Sequence, residues 1–333
     1  MGNYDFDSAV IGGGSAGYAT ARTTAAAGKR TVIIEAGGEL GGLCILRGCM
    51  PTKALLHAAD VRHQARRSSI WGLKPDEVSF DFAAVMRRKA AMVEEFASYR
   101  RGQLQDGRFE LIRALARFRD PHTLELDNGK AVTAEHIMIC TGSRVAELPL
   151  PGLTKLGCIT SDDALGLESL PKSIIVLGGG AVALEFAQFF ARFDVEVTVL
   201  QRSPHILKAF DDDGAGEVEA AFRAEGITVH TGCSLIDARH DGNEKMVVYE
   251  RDGVQHEVRA EAVFHGLGRS PNTGSLALEN GGVETERGRI LCDTHMRTST
   301  PHIYAGGDCT GPHEIVHIAI QQGEVAAHNI LHP

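Results

Sequence analysis

FDSAVIGGGSAGYATARTTAAAGKRTVIIE, residues 6–35, is the stretch that decides the fold. Phe6 to Ile11 is short, apolar and strand-like, and an Ala-rich helical segment follows it before Gly28. Thr31 to Glu35 reads as a second strand, so the order is β-α-β. Gly12, Gly14 and Gly17 give GxGxxG between the first strand and the helix, where the turn must be tight and the backbone must approach a pyrophosphate. Glu35 closes the second strand 18 residues beyond Gly17, where a carboxylate accepts hydrogen bonds from a ribose diol. A Gly-rich turn without a ligand is the plain alternative, and both strands and the acid count against it.

The pattern returns with a strand Ser173–Leu177, a turn of Gly178, Gly179 and Gly180, a helix to about Phe193 and a strand Glu196–Leu200. Ala183 stands where the third glycine would be, a position that needs only a small side chain for helix–strand packing. Between the two modules, residues 80–106 read as helix and 109–141 as strands with an Asn128-Gly129 hairpin turn. Leu148-Pro149-Leu150-Pro151-Gly152 interrupts helix and sheet alike and reads as a linker and domain boundary.

The 333 residues are 43% hydrophobic and 23% charged, enough for more than one packed domain and unlike a disordered chain. A net charge of -9 argues against nucleic acid, and the Arg pairs at 66–67, 87–88 and 100–101 read as solvated helix faces. The apolar run 174–191 holds three glycines, Glu185 and Gln188, so it reads as strand, turn and helix rather than a membrane span. Seven scattered cysteines do not form a secreted disulfide framework. No signal peptide precedes the first strand, and Met1-Gly2 lacks the Ser or Thr that a myristoylation site prefers. The expected location is the cytoplasm.

Two cysteines stand apart from the rest. Cys44 and Cys49 lie in GGLCILRGCMPTKALL, residues 41–56. Five positions on an ideal helix separate Cα atoms by roughly 8 to 9 Å, and a disulfide needs about 4.4 to 6.8 Å. The pair can join only if the backbone leaves a regular helix, a freedom that Gly48 supplies. A reducible disulfide, two buried thiols and half of a zinc site all remain open on spacing alone, although no further zinc ligands lie nearby.

The cysteine segment, ICTGS at 139–143, GLGRSPNT at 266–273 and TSTPHIYAGGDCTGP at 298–312 together resemble the flavin-dependent disulfide reductases, the class of dihydrolipoamide dehydrogenase, glutathione reductase and mercuric reductase. VALEFAQFFARFDVEVTVLQRS, 182–203, looks closest to the mercuric reductase branch. The resemblance implies an α/β fold of two Rossmann-like dinucleotide-binding domains, with an NAD(P)H domain (153–270) inserted into an FAD domain (1–152 and 271–333). It implies FAD contacts at Gly12, Gly14, Ser15, Ala16, Gly17 and Glu35, then at Gly42, Leu43, Leu115, Ala116, Thr141, Gly142, Arg269 and Gly307. Asp308 would bind the ribityl chain, and Ile315, Val316 and His317 would face the pyrimidine end of the flavin. A helix start suits the negative charge of a reduced flavin there.

Cys49 resembles the thiol that touches the flavin and Cys44 the exposed interchange thiol, and the two would form the redox-active disulfide. Lys53 and Glu185 match a buried ion pair near flavin N5. In the second module the resemblance implies NADPH contacts at Gly178, Gly180, Val182, Ala183, Glu185, Arg202, Lys208 and Gly268. NADPH is expected over NADH, because Gln201 stands where an NAD site places an acid, and Arg202 and Lys208 follow. Ala181 departs from the tyrosine lid of glutathione reductase.

His313-Glu314-Ile315-Val316-His317 spells HExxH, but Pro312 puts His313 at a helix edge, so no metal site is expected. Cys140, Cys158, Cys233, Cys292 and Cys309 read as incidental thiols. The expected activity is an NAD(P)H:disulfide oxidoreductase acting on a small-molecule or protein disulfide. The alternatives are a mercuric-reductase-like, quinone or diaphorase-type reductase and, from another class, a catalytically incomplete flavin module. Family members carry a further C-terminal domain that makes most of their homodimer interface and donates an acid/base pair. The chain stops at Pro333, so weak or no dimerisation and poor disulfide turnover are expected of it.

Overall fold

The computed structural model describes residues 4–74, 78–148 and 150–332; Met1, Gly2 and linker residue Pro149 lie outside the described residues. The chain divides into two compact units, the first made of Met1–Leu46, Glu94–Arg144 and Arg269–Pro333, the second of Arg47–Val93 and Val145–Gly268.

In the first unit, Phe6–Ile11 is the middle of a parallel sheet. It pairs with Thr31–Glu35 on one side and with Ala131–Ile139 on the other. Glu110–Arg113 and Ile303–Ala305 extend the sheet in parallel, and Thr123–Leu126 and Ala116–Asp120 add antiparallel strands. Parallel strands are covered on both faces, which is why these segments are almost continuously apolar. Val10, Ile33 and Met138 pack with Tyr18, Leu104 and Tyr304 on one face. Ala9, Ile11, Ile34 and Ile137 pack with Phe118 and Leu124 on the other. The Asn128-Gly129 turn joins two antiparallel strands, with Gly129 at φ +83°. Helix Val316–Leu331 lies so close on helix Ser15–Ala26 that a Cβ at Gly323 would stand 2.3 Å from the Ala16 carbonyl oxygen.

The second unit repeats the architecture with the parallel order Thr228–His230, Glu196–Leu200, Ser173–Leu177, Ala262–His265. A three-stranded antiparallel sheet follows from Ser234–Asp241, Glu244–Arg251 and Val254–Ala260. The run 174–191 is strand Ser173–Leu177, a glycine turn and helix Ala181–Arg192. Among the described residues no helix is long and apolar enough to cross a membrane.

Two features differ from the sequence reading. Pro151–Lys155 is a short helix rather than a linker: Pro151 suits the first helical position, Leu153 is fully buried and a Cβ at Gly152 would meet the Ala238 carbonyl oxygen at 2.3 Å. Residues 47–93, read from sequence as part of 1–152, group instead with the second unit. The reason is packing, because Leu55 and Ala59 of helix Cys49–Arg66 join the core of Phe186, Phe189 and Phe190.

Burial, first of all, holds His136 and His302 of the first unit, and His63 and His230 of the second, below the ordinary histidine value of 6.5. His302 also stacks on His122 with ring centroids 3.8 Å apart, an arrangement that two charged rings would oppose. The unfolded chain takes up these protons more readily than the folded one, so stability is full above about pH 6.5 and declines as pH falls below it. Melting temperature measured from pH 7.5 to 5.5 should fall, by about 2–4 °C per kcal/mol lost, and His302→Gln should flatten that slope.

Candidate functional site

The first unit gathers most of its candidate residues around the glycine turn. Gly12 has φ +102°, and a Cβ there would stand 2.4 Å from the Cys140 carbonyl oxygen. A Cβ at Gly17 would lie 1.9 Å from the Gly12 carbonyl oxygen, so neither position admits a side chain. Helix Ser15–Ala26 starts from Gly14 with no side-chain cap among the described residues, leaving its first amides open to an anion. The loop ahead of Leu43 and Cys44 runs backbone to backbone over this turn, since a Cβ at Gly42 would be 2.8 Å from the Gly14 Cα.

Glu35 does more than its sequence position suggests. Its Oε2 accepts from the Gly13 amide at 2.6 Å and its Oε1 from the Gly37 amide at 2.8 Å, tying the glycine turn to the end of the second strand. Leu115, half exposed, and buried Ala116 follow the strand that pairs Arg113 with Glu35.

Thr141 and Gly142 follow Cys140 beside Gly12, and Thr141 Oγ1 is buried without a hydrogen-bond partner among the described residues. Asp308 Oδ2 accepts from Ser143 Oγ at 2.6 Å, and that oxygen accepts in turn from Arg269 Nε at 2.7 Å. Gly307, at φ +79°, sits between Ala16 and Ala319, which places Asp308 beside the starts of two helices. Ile315 caps helix Val316–Leu331 in an extended conformation, with Ile315 and His317 exposed. His313 lies before that helix, so the two histidines of HExxH do not share one helix.

In the second unit, a cavity of about 670 Å³ is lined by Gly178, Gly180, Arg202, Lys208 and Gly268, together with Gln201, Ser203 and Phe210. Gln201 is buried against Gly179, and Arg202 and Lys208 are exposed. Leu207 holds the loop over the turn by donating its amide to the Gly179 carbonyl at 2.7 Å. Val182 and Glu185 belong to the same helix but do not line the cavity, and Ala183 is fully buried. Its methyl group occupies the space left by Gly266, where a Cβ would come within 2.6 Å of it.

The cysteine segment is two helices, Leu43–Leu46 and Cys49–Arg66, with the backbone breaking from helix at Gly48. Cys49 is an exposed thiol at the first position of its helix. Cys44 is half-buried, on the short turn that follows the loop laid over Gly14. Lys53 donates to Glu185 of the neighbouring helix, with side chains 60% and 31% exposed.

Arg100 was missed by sequence reasoning, which assigns the Arg100-Arg101 pair to a solvated face. Arg101 does pair with Glu94 at the surface, whereas Arg100 lies 4.1 Å over the Tyr18 ring. Burial pushes its pKa down, while Tyr18 and Cys44, close enough for their charges to act on it, favour its cation. A single arginine in a helix carries no local signal of such a partner.

A family profile described as pyridine nucleotide-disulphide oxidoreductase matches residues 6–323. This chain belongs to that family. It is 33% identical over 332 residues to a mercuric reductase of Bacillus cereus, covering 99% of this chain and 52% of that protein. It is 35% identical to a dihydrolipoyl dehydrogenase of Geobacillus stearothermophilus, covering 97% of this chain and 70% of that one. Among solved structures, the flavoprotein disulfide reductase RclA from Escherichia coli superposes with a TM-score of 0.86 at 30% identity, over 98% of this chain and 71% of that one. The chain is thus α/β with the Rossmann-like fold of a family whose members depend on FAD and use a pyridine nucleotide. The first unit fits FAD on its own features: the backbone cradle at Gly12, Gly14 and Gly17, the orphaned Thr141 hydroxyl and the carboxylates of Glu35 and Asp308.

The two glycine turns make opposite demands. Gly17→Ala should cost about 3 kcal/mol or more, because a backbone oxygen occupies the site. Ala183→Gly should cost about 1 kcal/mol, the ordinary helix penalty. Urea denaturation of the two variants checks the contrast.

Proposed function

We propose that this chain is an FAD-dependent oxidoreductase that carries electrons from NADPH to the Cys44/Cys49 pair and on to a disulfide acceptor. FAD would supply the exchange of a nicotinamide hydride for an electron pair. The observation that carries the reading is the placing of Cys49 at the first position of a helix broken from that of Cys44 at Gly48. The break relieves the spacing that a continuous helix would impose on a disulfide. An electron pair delivered to the S–S bond cleaves it, leaving the Cys49 thiolate and, after protonation, the Cys44 thiol.

Cys44, as thiolate, attacks the acceptor disulfide and expels one of its sulfurs. Cys49 then attacks Cys44, restoring the protein disulfide and releasing the second sulfur, so two electrons and two protons reach the acceptor. Glu185 holds the Lys53 ammonium at the first turns of the cysteine helix.

A metal-ion acceptor is the second reading. It is favoured by the 36% identity to a mercuric reductase of Streptomyces lividans and by a Cu(II) complex of RclA that superposes with a TM-score of 0.85. A panel of disulfides, Hg(II), Cu(II) and quinones assayed with the FAD-loaded protein separates the two.

The NADPH preference is supported by Arg202 and Lys208, which line the cavity beside Gln201, a residue without the carboxylate that would repel a 2′-phosphate, although Glu147 lines the cavity too.

Reduction of the FAD-loaded protein by NADPH or a dithiol should expose two further titratable thiols and produce a long-wavelength thiolate-to-flavin absorbance band that Cys49→Ser removes. A protein that takes no FAD, or gains no thiols on reduction, would refute the reading. Arg202→Ala should raise the KM for NADPH on the order of 10-fold, the loss of one charge-assisted bond, and leave that for NADH little changed.

A further inference from the structure

Among the polar pairs that join helix Cys49–Arg66 to helix Ala181–Arg192 and the two residues after it are Lys53 to Glu185, Asp60 to Arg192 and Arg62 to Asp194. In each the partners stand 132 positions apart. Partners that advance together over this span, about 13 Å of helix from Lys53 to Arg62, mean that the two helices run parallel. Leu55 and Ala59 pack between them, but apolar contact is non-directional and fixes neither slide nor rotation. The exposed Lys53–Glu185 pair holds little by itself.

The far end is built differently. The Arg62 side chain is 8% exposed, and its two terminal nitrogens donate to the Arg192 carbonyl and to Asp194 Oδ2. Its guanidinium lies 4.6 Å from the Phe80 ring and 5.8 Å from the Phe193 ring. Arg66 takes the other oxygen of Asp194 at 2.5 Å, so one carboxylate, at φ +65°, is gripped by two arginines from the cysteine helix. Arg192 is itself forked onto Glu225 by two bonds of 2.7 Å, with both side chains only 12% exposed, and Gln188 donates to the same carboxylate.

We propose that Arg62 is a positioning residue for the thiol chemistry: seated between Asp194 and the Arg192 carbonyl, it sets the axial register of the cysteine helix on the nucleotide-binding helix. That register brings Lys53 to Glu185 and fixes where Cys49 stands. The inference rests on the function proposed above, in which Cys49 is the thiol next to the flavin. A guanidinium held on two acceptors and two ring faces restricts translation and rotation together, as a point charge does not.

The test uses the FAD-loaded protein and the variants Asp194→Asn, Arg62→Met and Arg62→Lys. Asn tolerates the left-handed backbone at 194 and keeps the shape of Asp, so that variant folds even where Arg62→Met does not. Asp194→Asn and Arg62→Met should each lower the thiolate-to-flavin absorbance per bound FAD about twofold and kcat on the order of 10-fold, within the range that a 1 Å misplacement costs. The KM for NADPH should stay unchanged, and Arg62→Lys should fall between Arg62→Met and the wild type. Wild-type absorbance and kcat in both Asp194→Asn and Arg62→Met would overturn the inference, however far their melting temperatures drop. A wild-type protein with no such band would instead overturn the proposed function, and this inference with it.

Discussion

Backbone approaching backbone at the two strand-to-helix turns is the constraint on which both units depend. In the first, the Gly12 carbonyl oxygen sits where a Cβ of Gly17 would be, and the Cys140 carbonyl sits where a Cβ of Gly12 would be. These contacts let the helix start directly above the sheet and aim its open amides at one point. The loops carrying Thr141, Asp308 and Gly42 converge on that point because their strands or helices are packed against the same turn. The second unit uses the same device at Gly178, where the Gly266 carbonyl lies 2.4 Å from the Cβ position.

The cysteine helix answers to a different part of the molecule than its sequence neighbours. Cys44 follows a loop laid on the first glycine turn, whereas Leu55, Ala59 and Arg62 belong to the core and ion-pair network of the second unit. The five positions from Cys44 to Cys49 therefore join two packing environments. Gly48, out of helical geometry at φ −123° and ψ −119°, is where the chain changes from one to the other.

What was legible in the sequence was local. The glycine turns, the acid ending the second strand and the Asn128-Gly129 hairpin each announce themselves within a few residues, because tight turns and positive φ demand particular side chains. Arg62 and Arg100 were not legible: each is one arginine among several on a long helix, and only packing decides which is buried on an aromatic ring and which is solvated. Pro151 misled for a related reason, as proline breaks a helix interior yet opens a helix well. Glu35 reads in the sequence as a ligand acceptor, and nothing in its position shows that it also hydrogen-bonds the amides of Gly13 and Gly37.

The fit of Ala183 into the space left by Gly266 carries a consequence for building new proteins from these parts. The third position of a glycine turn is commonly treated as a free choice between glycine and alanine. Here the methyl group at 183 is accommodated by a residue 83 positions later, on the loop after the last strand of the parallel sheet. The turn and that loop thus share one small volume between them. A chimaera that transplants residues 173–200 into another scaffold must bring the glycine at 266 with it, or exchange Ala183 for glycine in the same step.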